Sequence, residues 1–167
     1  MIKRIMSIFC ALLVICGMFV VSLTDVNAKE SDSIQIDGSY LTLQDTSTGY
    51  TNGGVVTRGE HLMDGECSIT KAGRGRIYVY ASTTADHTVD YIATVIYVDR
   101  YNQETETWGQ IDYWQVEDHN TYFVSTSKSF AVDRGYFYRV HADHVAGMEG
   151  EYPYEEATSL TNGIWID

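Results

Sequence analysis

Between Thr121 and Ala146 the chain reads TYFVSTSKSFAVDRGYFYRVHADHVA, and its apolar residues recur at every second position. Tyr122, Val124, Thr126, Phe130 and Val132 form one such set. Tyr136, Tyr138, Val140 and Ala142 form the next, with Asp133, Arg134 and Gly135 between them. A period of two places each set on one face of a strand, and a glycine-bearing polar corner turns the chain from one strand to the other. No helical period is sustained over about ten residues anywhere in the chain. The pattern therefore points to an all-β fold.

The rest of the chain repeats the pattern at short spacing. Glu66–Thr70 places Cys67 and Ile69 on one face, and Lys71–Gly75 is a turn. Arg76–Ser82 then alternates Ile77, Val79 and Ala81 against Tyr78 and Tyr80, which completes a hairpin. Asp86–Thr88 interrupts before Val89–Tyr101, where Tyr91, Ala93, Val95 and Tyr97 line one side and Ile92, Ile96 and Val98 the other. A strand apolar on both sides is a central one, covered on each face. Trp108–Val116 is a more exposed strand, and Asp118-His119-Asn120 is a turn. Gly147–Thr158, with the only proline at Pro153, reads as a surface loop, and Leu160 with Ile164–Ile166 supplies the last strand. About seven short strands favour an antiparallel Greek-key β-sandwich of immunoglobulin-like type. The strands around Ile96 and from Tyr136 are expected in apposed sheets.

Residues 1–28 carry Lys3 and Arg4, a nearly unbroken apolar run from Ile5 to Leu23, and Val26-Asn27-Ala28 as a small-residue processing site. This is the pattern of a cleaved secretory signal; an uncleaved anchor is the competing reading, because the run approaches spanning length. Cleavage leaves no stably inserted segment and a body of single-domain size, with 29–54 as a partly ordered lead-in and 55–167 as the sandwich. Cys10 and Cys16 leave with the signal, so Cys67 has no internal disulfide partner and the exported body relies on its core. A formal charge of −12 disfavours nucleic acid and anionic membrane surfaces, and favours cationic partners.

Two resemblances follow from these residues. Phe130, Val132, Gly135, Tyr136, Arg139, Val140 and Ala142 resemble the E-to-F corner of fibronectin type III and related immunoglobulin-like domains, which implies that the Tyr136 hydroxyl reaches back to upstream backbone. Such modules commonly carry proline where Val132 stands. The succession SITKAGRGRIYVYA, TVDYIATVIYVDRY, Trp108 and SKSFAVDRGYFYRVHADHVA is similar to a family of uncharacterised small secreted proteins of Gram-positive bacteria. That resemblance spans roughly Glu66 to Ala146, implies export, and supplies no catalytic residues.

The candidate chemistry is sparse. His141, Asp143 and His144, with Glu149 and Glu151 beyond, are the densest set of zinc-ligating types, but their spacing matches no established signature. The competing reading leaves His141 facing solvent and packs His144 at the strand end. Calcium would use Asp99, Asn102, Glu104 and Glu106, or Glu149, Glu151, Glu155 and Glu156; neither loop has the regular loop pattern, and both also read as solvated acidic surface. Cys67 could act as a nucleophile with His61, His87, His119, His141 or His144 as base, yet it alternates with Ile69 as a buried small residue would. Glu104/Glu106 and Glu155/Glu156 lie on single loops and do not establish carboxylates facing across a cleft. The 13 tyrosines and three tryptophans remain. Tyr78, Tyr80, Trp108, Trp114, Tyr152 and Tyr154 either cover cross-strand neighbours or stack on a sugar or protein partner. The expectation is an exported, non-catalytic binding module for an extracellular protein or glycan. Its binding residues would be Trp108, Trp114, Tyr152 and Tyr154, with Tyr136 as the structural corner and no required cofactor.

Overall fold

The computed structural model describes residues 34–51 and 60–167. The expected signal, residues 1–28, and the start of the lead-in lie outside them. The described residues form β1 (Gln35–Ile36), β2 (Ser39–Thr42), β3 (Thr46–Tyr50), β4 (Leu62–Lys71), β5 (Arg76–Val89), β6 (Tyr91–Asn102), β7 (Thr107–Asp118), β8 (Thr121–Ala131), β9 (Tyr136–Gly147), β10 (Glu155–Leu160) and β11 (Gly163–Ile166). One sheet runs β1-β2-β11-β9-β6-β7 with β10 also on β9; the other runs β3-β4-β5-β8. All pairs are antiparallel except β2 with β11. The buried halves of the alternating strands face one another, which makes the fold an all-β sandwich.

Two expectations change. β6 and β9 are neighbours in one sheet, with Ile96 opposite Ala142, and are not apposed. Their inward sets have the same parity, and a period of two does not distinguish a neighbour from a facing strand. Residues 34–51 also belong to the sandwich: β3 pairs with β4 and β2 with β11, so the folded body begins before residue 55. Their polar composition suits short strands at or next to the sheet edges, where little of either face is buried.

The interior is layered. Cys67, Ile69, Ile77, Val79, Ala81, Ile96, Val98, Tyr138, Val140, Ala142, Ile164 and Ile166 form the larger apolar cluster, and Ala85, Val89, Ile92, Val124 and Ala146 the smaller. On β5, β6 and β9 the two clusters are separated at one level by Thr83, Thr94 and His144, all fully buried. On β4 the same level is Gly65, where a Cβ would overlap the His144 imidazole. A larger residue on β4 would leave that ring no room.

At the β8–β9 corner the tyrosine that reaches back is Tyr138, whose hydroxyl donates to the Asp133 carbonyl at 2.7 Å. Tyr136 is 38% exposed and lies beneath the Arg100 guanidinium, 4.7 Å from its ring centre, while Arg100 pairs with Asp133 at 2.8 Å. Both tyrosines share the inward parity, but only Tyr138 lies deep enough to be covered by the facing sheet. Tyr138→Phe should therefore cost on the order of 1 kcal/mol of stability, and Tyr136→Phe much less, in urea denaturation. The opposite ranking would refute this account of the corner.

Candidate functional site

Strand parity disperses the expected metal ligands. His141 and Asp143 point outward from β9, while His144 points into the sandwich. His141 stacks on Tyr97 with ring centres 4.6 Å apart, and its Nδ1 lies 3.3 Å from Asp99 Oδ2. His144 Nδ1 is 2.9 Å from Thr83 Oγ1 and its Nε2 is 2.7 Å from Ser159 Oγ. The hydrogen bonds close in one direction: Thr94 donates to Thr83, Thr83 to the Ala93 carbonyl, Nδ1–H to Thr83, and Ser159 to Nε2. That order needs a neutral ring, and burial pushes the His144 pKa down to about 4. Among the described residues no three His, Cys, Asp or Glu side chains come together to hold a metal ion.

The other candidates are similarly occupied. Cys67 is fully buried and its thiol is pushed up to about 11 by desolvation, which withholds the thiolate a nucleophile requires. Burial raises the Asp99 carboxyl, but bonds and charge from His141 and Arg139 outweigh it and the pKa falls below the usual value. Asn102 accepts from the Glu104 and Thr105 amides, so its side chain shapes the β6–β7 turn. Glu155 accepts the amides of Glu60, His61 and Leu62 and fastens β10 to the start of β4.

The two tryptophans expected to bind, Trp108 and Trp114, both make contacts within the fold. Trp108 donates its indole N–H to the Ile36 carbonyl at 3.1 Å and covers the Arg139 guanidinium at 4.5 Å. Arg139 in turn binds Asp99 at 3.0 Å, the Asp37 carbonyl at 3.0 Å and Ser39 Oγ at 3.2 Å, which ties β9 and β6 to the β1–β2 hairpin. Trp114 closes one side of the sandwich, with its N–H on Thr126 Oγ1 at 3.3 Å and its ring edge-on to Phe130. Each is partly buried and has a cation over its ring, Arg139 on Trp108 and Lys128 on Trp114.

Tyr152 and Tyr154 do come together, in a cleft of about 360 Å³ lined by Asp90, Tyr91, His119, Asn120, Glu149, Tyr152 and Tyr154. Three connections build it: Asp90 between β5 and β6, His119 and Asn120 between β7 and β8, and Glu149 to Tyr154 between β9 and β10. Tyr91 stacks on Tyr154 at 5.2 Å, and Tyr154 meets Tyr152 at 4.7 Å with its hydroxyl donating to the Tyr152 hydroxyl at 3.0 Å. That bond, with burial and the nearby Glu149 and Asp90 charges, pushes the Tyr154 phenol up to about 12. Asp90 locks the connections together: its Oδ2 accepts the Glu149 amide at 2.8 Å and its carbonyl accepts His119 Nδ1–H at 2.9 Å. Sequence patterning marks the two loop tyrosines. It does not bring Asp90, Tyr91 and His119 to this site: Tyr91 reads as part of one face of the central strand and His119 as part of a turn or a base for Cys67.

Residues 28–163 match a family of unknown function, DUF6147. The chain belongs to that family. No curated protein matches it.

In this DUF6147 chain the buried imidazole sets a pH dependence. In the unfolded chain His144 takes up a proton below about 6.5, whereas in the folded state it does so only near 4, so stability is complete above pH 6.5 and is lost as pH falls toward 4. The loss amounts to roughly 3 kcal/mol. His144→Gln should lower stability at neutral pH and flatten this acid limb, read as urea midpoints across the pH range; parallel limbs for both proteins would contradict the assignment.

Proposed function

We propose that this DUF6147 chain is an exported, non-catalytic binding module that takes an extracellular partner, a protein or cell-surface component, into the cleft between its β5–β6, β7–β8 and β9–β10 connections. The single observation that carries this reading is the convergence of three separate connections on one cleft with a polar floor and an exposed ring. Tyr152 is 69% exposed, unlike either tryptophan. Export is supported by the signal pattern and by a family match that begins at residue 28, where the signal would end. The non-catalytic reading draws on the burial of Cys67 and His144, the two side chains with nucleophile or base chemistry nearest the core. The strand orders β4-β5-β8 and β11-β9-β6-β7, with Tyr138 at the corner, support an immunoglobulin-like arrangement, in which one end of the sandwich carries the recognition loops.

A second reading has its own observation. The outer face of the four-stranded sheet aligns Thr48, Ser68, Tyr80 and Ser127 in one row and Thr46, Thr70, Tyr78 and Ser129 in the next. Eight uncharged hydroxyl side chains on a strongly acidic protein are chemistry suited to a neutral polysaccharide lying flat.

Binding of the labelled protein to peptide and glycan arrays separates the two. Loss of at least about tenfold in affinity on Tyr152→Ala, with Tyr80→Ser unchanged, is the expected result for the cleft. The reverse pattern would assign binding to the sheet face, and indifference to both substitutions would overturn both readings.

A further inference from the structure

Resting on the cleft as the binding site, we propose that its ligand is cationic: the ammonium or guanidinium of a lysine or arginine side chain on an extracellular polypeptide. A count of protons in the cleft leads to this class. The Glu149 amide proton goes to Asp90, the His119 Nδ1 proton to the Asp90 carbonyl, the Tyr154 hydroxyl proton to Tyr152, and the Tyr91 hydroxyl proton to Glu117 Oε2 at 3.1 Å. Four of the donors around the cleft are thus engaged within the protein.

What faces the cleft is mostly acceptor. Asp90 has a second carboxylate oxygen, and Glu149 is exposed with its whole carboxylate. Among the lining tyrosine hydroxyls and side-chain amides, the Tyr152 hydroxyl proton and the Asn120 amide are the donors that remain. Among the described residues no lysine or arginine lines the cleft beside Asp90 and Glu149. An anion would meet two like charges, and a neutral sugar would leave both charges without a counterion. An ammonium or guanidinium supplies several N–H donors and a positive charge at once. It also gains from the open face of Tyr152, because an aromatic face attracts a cation. Carboxylates beside packed rings hold a ligand cation more strongly than the same groups on a fully solvated surface. The net charge of −12 adds long-range attraction for a basic partner.

The test uses fluorescent tetralysine, its fully acetylated counterpart, a glucosamine tetramer and the N-acetylated form of that tetramer, titrated with the protein by anisotropy at about 20 mM and about 200 mM salt. Tetralysine should bind, weaken with salt, and lose at least about tenfold on acetylation. Glu149→Gln should reproduce that loss and reduce the salt dependence; its side chain is exposed, so folding is retained, and near-identical melting verifies this. Glu104→Gln, in the β6–β7 turn at the other end of β6, should leave affinity unchanged, which separates the cleft from general attraction to an acidic protein. Equal binding of acetylated and free lysine, or indifference to Glu149→Gln, overturns the proposal. Binding of the glucosamine tetramer with the same Glu149 dependence, without tetralysine, overturns the polypeptide source. Binding of the N-acetylated tetramer alone, abolished by Tyr152→Ala, overturns the charge argument but leaves the cleft as the binding site. If no probe responds to any cleft substitution, the binding-site reading falls with it.

Discussion

The sandwich depends most on a buried polar layer that five strands must enter at one level. Thr83 on β5, Thr94 on β6, His144 on β9 and Ser159 on β10 satisfy one another, while Gly65 on β4 leaves the space the imidazole fills. A slip of one residue in any of these strands would turn a hydroxyl or the ring to the other face and strand its partners without hydrogen bonds. Unpaired buried polar groups cost about 1–3 kcal/mol each, so the layer penalises alternative registers more sharply than apolar packing alone. Apolar clusters tolerate exchange among residues of similar volume; this network does not.

The layer also divides the core into parts with different tasks. The larger cluster joins the sheets and sits beneath the Arg139–Asp99 pair and Trp108, which hold the β1–β2 hairpin. The smaller cluster, with Val89, Ile92 and Ala146, lies directly under the cleft. Val89 and Ile92 bracket Asp90 and Tyr91 in sequence, and Ala146 precedes Gly147, over which Tyr154 closes because a Cβ there would strike its ring. The connections that form the cleft are therefore anchored within one or two residues of buried side chains. Placement of a loop side chain on such rigid footing is what a preorganised recognition site requires.

The fold was legible in the sequence wherever alternation was strong. β5 and β9 each carry a period-two run long enough to define an inner face, while β6 is apolar on both sides and reads as a central strand, and the sandwich follows from them. Depth and neighbourhood were not legible. Tyr136 and Tyr138 have the same parity, so alternation places both inward and does not tell which one reaches the corner carbonyl. β6 and β9 likewise look as suited to facing each other as to pairing. The short, polar strands β1–β3, with β1 and β3 at sheet edges, have little apolar content and resemble a linker until their partners β4 and β11 are in place. For the site, Tyr152 and Tyr154 stood out as aromatic residues in an acidic loop. His141, Asp143 and His144 stood out equally, because density of ligand types along a chain ignores the alternation that sends 141 and 144 to opposite faces.

Stacking explains why an abundance of rings does not amount to an abundance of binding surface. Across the outer face of the larger sheet His141, Tyr97 and Tyr113 lie in register, with planes 11° and 20° apart, so the Tyr97 ring is faced on both sides. Trp108 has given a face to Arg139, and Trp114 presents its plane to Lys128. These contacts stabilise strand pairing at the cost of recognition. At the cleft the chain of ring contacts ends on Tyr152, beside Asp90 and Glu149 and with no lysine or arginine among the described lining residues. A terminal ring whose outward side meets no further aromatic partner among the described residues, set beside two carboxylates, is the arrangement on which the proposed binding role rests.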